Sequence, residues 1–185
     1  MIIEGNTTKK LIISVISVYV SLIFSLILGI KSSGNSFFDT LFYYSLPIIL
    51  GLVVFPKCMI HLKIVHQENK INFKIKKLEI ICLAGTFITI LARRDLALDV
   101  IIQTIVIALS EEFLFRYFLI DGKNAKSLIL FSSLIFAFVA HGNEPLLVNL
   151  LLRLPLGLAL GYIYKKQDSY IGCSMLHFVY NLILS

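Results

Sequence analysis

Glu111 and Glu112, with Arg116 one helical turn further on, stand in the apolar stretch IVIALSEEFLFRYFLI. His141 closes a second apolar stretch, SLILFSSLIFAFVAH, and His177 and Asn181 lie in a third, IGCSMLHFVYNLILS. A charge near the centre of a bilayer costs at least ~2.5–3.5 kcal/mol on insertion scales. Such side chains inside apolar segments are therefore paired with one another, or line a polar cavity that does something. Two carboxylates, a guanidinium, two imidazoles and an amide form an inventory suited to hydrolysis inside a membrane.

The spacing divides the work. Glu112 and Arg116 are four residues apart, share a helix face and can pair directly. Glu111 sits ~100° round the same helix, so one glutamate can be neutralised by Arg116 while the other acts on water as a general base. His177 and Asn181 are also four apart. An imidazole N–H and an amide N–H on one face make a donor pair for the oxyanion of a tetrahedral intermediate. Ser110 has no base beside it on its own helix, so a serine nucleophile is less economical than glutamate-activated water. Cys173 precedes His177 by one turn, but nothing near it in sequence would generate a thiolate, and it reads as a small packing residue. The competing reading makes Glu112–Arg116 a packing staple and gives His177 and Asn181 ordinary interhelical hydrogen bonds. Asn149 and Arg153, four apart in a further apolar segment, read as binders of a substrate carboxylate or as partners of Glu111 or Glu112.

The elements that must hold these groups are apolar helices. The 185-residue chain is 58% hydrophobic and 15% charged, with mean hydropathy +0.89; soluble domains carry ~25% charged residues. Seven helices are expected, over about 11–30, 36–56, 78–92, 96–119, 126–141, 146–164 and 169–185. Most approach the ~20 residues that cross a ~30 Å hydrocarbon core; the third and fifth are shorter. The expected fold is all-α, a polytopic membrane helix bundle forming one domain over residues 1–185. Lys9 and Lys10 precede the first run, which is too long for a signal-peptide core and reads as an uncleaved span. Pro155 is expected to kink the sixth helix, and Gly157 with Gly161 to admit another backbone.

Charge sets the expected orientation. The net charge is +6 and the pI about 9.2, but the lysines cluster in short loops. That is the pattern of cytoplasmic loops touching anionic lipid, and it argues against a nucleic-acid partner. With the N-terminus in the cytoplasm, Lys9, Lys10, Lys57, Lys63, Lys70, Lys74, Lys76, Lys77, Lys123, Lys126, Lys165 and Lys166 fall inside. Lys31, Arg93 and Arg94 fall outside, and seven spans put the C-terminus outside too. The expectation is a multi-pass protein of the cell membrane. The 57–77 segment, with Met59, Ile60, Leu62, Ile64 and Val65, reads as an interfacial helix with a basic face. His61 and His66 in it read as solvated rather than metal-binding, and Cys58, Cys82 and Cys173 form no disulfide framework.

S-E-E-F-L-F-R fits E-E-x-x-x-R, H-F-V-Y-N fits H-x-x-x-N, and a histidine-ended helix lies between them. In this order, each in an apolar segment, the motifs resemble the CAAX-protease and bacteriocin-processing family of intramembrane endopeptidases, also called the Abi family, over about residues 96–185. The family's middle motif is F-x-x-x-H; here Ala137 stands four residues before His141, with Phe136 at five and Phe138 at three. The resemblance implies that Glu111 with His141 activates water, that His177 with Asn181 binds the oxyanion, and that Glu112 and Arg116 form a supporting pair. It implies a peptide or protein substrate at the membrane, a bacteriocin or its receptor among the candidates. Glutamate and histidine can ligate zinc, so a divalent metal is the alternative; without H-E-x-x-H spacing, a glutamate mechanism with no cofactor is preferred.

Depth is the difficulty in this picture. At 1.5 Å per residue, Glu111 lies roughly 14 Å and His177 roughly 12 Å from the cytoplasmic ends of their helices, but His141 lies roughly 22 Å from its own. Two rival functions remain: a non-catalytic bacteriocin-immunity or scaffold protein that binds through the same polar cavity, and a proton-coupled transporter. The lack of repeat symmetry argues against the transporter.

Overall fold

The computed structural model describes residues 2–29, 39–67, 77–93, 96–120 and 125–184. Among them are seven helices: α1 (Ile2–Gly29), α2 (40–61), α3 (Lys77–Ala92), α4 (98–118), α5 (125–140), α6 (Leu146–Gln167) and α7 (Tyr170–Leu184). The chain is an all-α membrane helix bundle, and the spans expected from hydropathy recur within a few residues apart from α1, which begins earlier. Gly5–Leu28, Phe42–His61 and Leu146–Gln167 are long and apolar enough to cross a membrane. Many of their large apolar residues are exposed on the outer surface, as are Ile80, Ile81, Leu83, Phe87 and Ile88 of α3. Helices satisfy their own backbone groups, which lipid cannot do.

The fourth helix is built differently. Every residue from Ser110 to Arg116 is buried, so the charged segment forms the centre and the apolar helices form the wall. Around it α7 packs on α3 and α4, α5 packs on α6, and α1 packs on α2. The α5–α6 contact passes through Gly157 and Gly161, where a Cβ would stand 3.0 Å from Ser133 Cβ and 2.9 Å from Ile129 Cγ2. The tighter approach is at Gly51 of α2, where a Cβ would lie 2.6 Å from Ser21 Cβ and 2.7 Å from Ser21 Cα. Because part of that clash is with backbone, Gly51→Ala is expected to lower stability by about 1–3 kcal/mol, read as a drop in thermal midpoint in detergent. An unchanged midpoint would show that α1 and α2 separate without cost.

Five turns in these helices are widened to i→i+5 hydrogen bonding, at Thr40–Ser45, Leu50–Val54, Phe113–Phe118, Phe136–Ala140 and Asn149–Arg153. Three of them end two residues before a proline, Pro47, Pro56 or Pro155. Proline lacks an N–H and presses on the carbonyl four residues back; a wide turn relieves both. The kink expected at Pro155 therefore takes the form of a wide turn ahead of it. The other two have no such proline, and they carry or adjoin Arg116 and His141.

The lysine-rich segment departs from expectation. Met59 and Ile60 belong to the last turns of α2, and Val65 is buried in the loop that follows, so residues 57–67 do not form a separate interfacial helix. The physical reason is a network of tethers to other elements. Asn6 of α1 donates to His66 O (3.0 Å) and accepts from His66 N–H (2.8 Å). Lys10, itself buried, donates to Gln67 Oε1 (2.8 Å) and lies over the Phe118 ring, while Gln67 donates to Tyr117 O (2.7 Å). Lys10 is thus a packing cation as well as a topology signal. Phe73, Lys70, Lys74 and Lys76 lie outside the described residues, as do Lys31, Arg94 and Lys123.

Candidate functional site

The Glu112–Arg116 pair expected from spacing is present and fully buried. Arg116 Nε donates to Glu112 Oε2 at 2.8 Å, and Nη2 lies 3.5 Å from Oε1. Nη1 donates to Ser132 Oγ of α5 at 2.9 Å, Ser132 donates to Phe115 O at 2.7 Å, and the guanidinium faces the Phe136 ring at 5.8 Å. Each of the three guanidinium nitrogens thereby has a partner. Ser132 was not singled out by sequence; a Ser-Ser pair inside SLILFSSLIF was the available signal. Ser132→Ala strands one buried N–H of Arg116 and is expected to cost about 1–3 kcal/mol, measurable as a lowered thermal midpoint.

His177 lies behind both glutamates and is fully buried. Its Nδ1 is 3.1 Å from Glu112 Oε1 and its Nε2 is 3.6 Å from Glu111 Oε2. A carboxylate already held by arginine can only accept, so Nδ1 carries a proton and donates. The 3.6 Å contact is an ion-pair distance but too long for a hydrogen bond. Glu111 Oε2 and His177 Nε2 are each buried without a hydrogen-bond partner among the described residues. An oxygen species hydrogen-bonded to both would stand about 2.8 Å from each. Cys173, by contrast, points its thiol at Leu160 O (3.5 Å) and does not pair with His177.

His141 follows the wide turn Phe136–Ala140, and that turn accounts for the displaced aromatic. Where hydrogen bonding runs i→i+5, the residue five back occupies the place that four back holds in an α-helix. Phe136 accordingly packs edge-on against the His141 ring at 4.7 Å, and its carbonyl accepts from His141 Nδ1 at 2.9 Å. The same phenyl ring meets His177 at 5.5 Å. The imidazole thus folds back over a whole turn, roughly 7 Å at 1.5 Å per residue, which removes part of the depth gap.

Glu111, His141 and Asn181 line one cavity of about 990 Å³, with Val18, Leu22, Ile48 and Leu52 on its apolar side. The helix carrying His177 and Asn181 is fixed at both ends. Ser169 Oγ accepts from Gly172 N–H (3.0 Å), an N-cap, and donates to Glu79 of α3. Arg93 donates to Leu182 O in the last turn. Asn149 and Arg153 do not pair with Glu111 or Glu112. Asn149 donates to His141 O (2.8 Å), and Arg153 pairs with Glu144 (3.3 Å) in the loop after α5. That loop acid lay outside the apolar segments and gave no sequence signal.

Glu112 is engaged by Arg116 and His177, and His141 Nδ1 by Phe136 O. Among the described residues no three His, Cys, Asp or Glu side chains converge to hold a metal, whereas catalytic zinc takes three protein ligands.

The buried Glu–Arg pair, the glutamate against a histidine and the amide on the cavity wall all lie in the stretch of chain that carries a family match. Residues 93–183 match the type II CAAX prenyl endopeptidase Rce1-like family. No curated protein and no solved structure matches the chain. Over residues 93–183, the chain belongs to the Rce1-like family of CAAX endopeptidases, proteases of the membrane.

Proposed function

We propose that this protein is an intramembrane endopeptidase in which Glu111 activates the water that attacks a peptide bond of a membrane-associated peptide or protein. The observation that carries the reading is the facing pair Glu111 Oε2 and His177 Nε2, 3.6 Å apart and both buried, with Glu111 lining the cavity. Water placed against both adds its oxygen to the scissile carbonyl carbon and gives its proton to the pair, which holds it between carboxylate and imidazole. The Asn181 amide donates to the oxyanion. Collapse of the intermediate breaks the C–N bond, and the stored proton goes to the leaving amine. Glu112 and Arg116 hold His177 in the tautomer this needs. His141 Nδ1 is a donor to Phe136 O, which leaves Nε2 of the neutral ring as a second acceptor for the water proton. His177 takes a different part from the one the resemblance implies, because it stands behind Glu111 rather than on the cavity wall.

Self-protection against a bacteriocin, or processing of one, is the setting the family resemblance offers for such an activity. The test is cleavage of a membrane-anchored peptide library, followed by mass spectrometry, with purified wild type and the Glu111→Gln variant, each with and without chelator. Cleavage by wild type alone, indifferent to chelator, supports the glutamate mechanism. Cleavage that chelator abolishes overturns the metal-free part of it. A Glu111→Gln variant that still protects cells from a bacteriocin favours a binding protein that uses the same cavity.

A further inference from the structure

No residue of α3 lines the cavity, yet this helix reaches both ends of the one that carries His177 and Asn181. Glu79, in the first turn of α3, accepts from Ser169 at the start of α7. Arg93, one residue past the end of α3, donates to Leu182 O in the last turn of α7. The two helices therefore run parallel, start beside start and end beside end. Both anchors carry charge, and each sign suits the helix it holds: an acid at the N-terminal end of α7 and a guanidinium at its C-terminal carbonyls. The spans also match. At 1.5 Å per residue, Glu79 to Arg93 is about 21 Å and Ser169 to Leu182 about 20 Å. Equal spans leave no slack. A slip of α7 by one residue, ~1.5 Å with ~100° of turn, breaks a bond at each end.

What lies between the anchors has little tolerance for such a slip. His177 Nδ1 is 3.1 Å from Glu112 Oε1 and Nε2 is 3.6 Å from Glu111 Oε2, and Asn181 directly precedes the anchored Leu182. Both glutamates belong to α4. The seam between α4 and α7 is packed by Ala108, Phe178 and Leu182. Apolar burial is non-directional, so it resists separation of the two helices without selecting a height for one against the other. Directional bonds at the ends do select one. Glu79 and Ser169 are buried, where a hydrogen bond is stronger than in water.

We infer that α3 is a brace for the site, in which Glu79 and Arg93 are positioning residues that set the height and rotation of α7 and so the placement of His177 and Asn181 against Glu111. That α3 holds α7 in register is independent of the chemistry; that the register matters for hydrolysis rests on the endopeptidase reading. Neither residue lines the cavity, so each acts through the end of α7 that it binds. All of α3 precedes the residues that match the family, and Arg93 is the first of them. The acid half of the brace thus lies outside what the family match covers.

The test uses the full chain and two readouts. Nitroxide labels on Leu26→Cys of α1 and Ile183→Cys of α7, both exposed positions, report the distance across the cavity, which Ser25 and Leu184 line from the two sides. Cys58 is exposed and Cys82 and Cys173 are buried, so Cys58→Ser gives a quiet background. Glu79→Leu and Arg93→Met each remove one anchor, whereas Glu79→Gln keeps an acceptor and Arg93→Lys keeps a charged donor. Ser169→Ala opens the acid end from the α7 side, so that one misfolded variant does not decide the matter, and thermal melts restrict the comparison to folded protein. The expected result is a broadened spin–spin distance distribution in the three anchor-loss variants and a return to the wild-type width in the Gln and Lys variants. In the unlabelled chain, the same three variants are expected to lose about 10²-fold in kcat, the cost of a misplacement of ~1 Å, with KM little changed and most of the rate regained in the conservative pair. A distribution as narrow as wild type in all three overturns the brace. A broadened distribution with kcat intact overturns its part in positioning the site. A wild type that cleaves nothing counts against the endopeptidase reading alone, because the distance measurement needs no turnover and still decides whether α3 holds α7.

Discussion

Glu111→Gln is expected to slow peptide hydrolysis by about 10³-fold while the bundle stays folded, within the 10²–10⁴ range that a positioned general base supplies. The substitution keeps shape and volume and removes only the capacity to take a proton. Stability should hold because Glu111 Oε2 has no hydrogen-bond partner to lose and faces His177 at 3.6 Å. The loss should fall on kcat, with KM little changed, since binding depends on the apolar wall rather than on the carboxylate. Steady-state kinetics on a cleaved peptide, with a thermal melt as control, checks both halves. Hydrolysis at the wild-type rate would remove Glu111 from the mechanism.

Arg116→Met is expected to cost about 3–5 kcal/mol of stability, the usual result of removing one partner from a buried ion pair. The guanidinium holds Glu112, Ser132 and the face of Phe136 together. Without it a carboxylate with no exposure remains among apolar side chains. The double variant Glu112→Gln with Arg116→Met removes the stranded charge, so it should recover much of the lost stability. Activity should stay low, because His177 Nδ1 no longer faces an ionised acceptor and its tautomer is no longer fixed. Thermal denaturation of the single and double variants, with cleavage assayed on both, separates the two effects. Recovery of activity along with stability would reduce the pair to packing.

What could be read from sequence follows from how local each relation is. Glu112 with Arg116 was legible because one helix fixes both side chains. The spans were legible because lipid demands long apolar helices, and few other solutions exist. The partner of Glu111 was not legible. The resemblance pairs it with His141; that His177 also stands 3.6 Å from it depends on the relative rotation and tilt of α4 and α7. Hydrophobic periodicity carries no information on either quantity. The run of α2 to His61 was missed because Pro56 looks like a stop; the wide turn Leu50–Val54 lets the helix continue past it. Arg153 found its partner in Glu144, a residue of a connecting loop, and loops have no period from which a direction can be read.

The wide turn Phe136–Ala140 also bears on how sites of this kind are recognised across distant sequences. A helix that takes in one residue at such a turn keeps everything before and after it in place, yet shifts the count between two contacting side chains from four to five. A pattern written as a fixed interval registers that as a missing aromatic, and an alignment registers it as a one-residue gap in the middle of a helix, where gaps are heavily penalised. Phe136 and His141 are nevertheless in contact at 4.7 Å. In chains of this type the ring-to-ring contact, rather than the number of intervening residues, is what a search has to score.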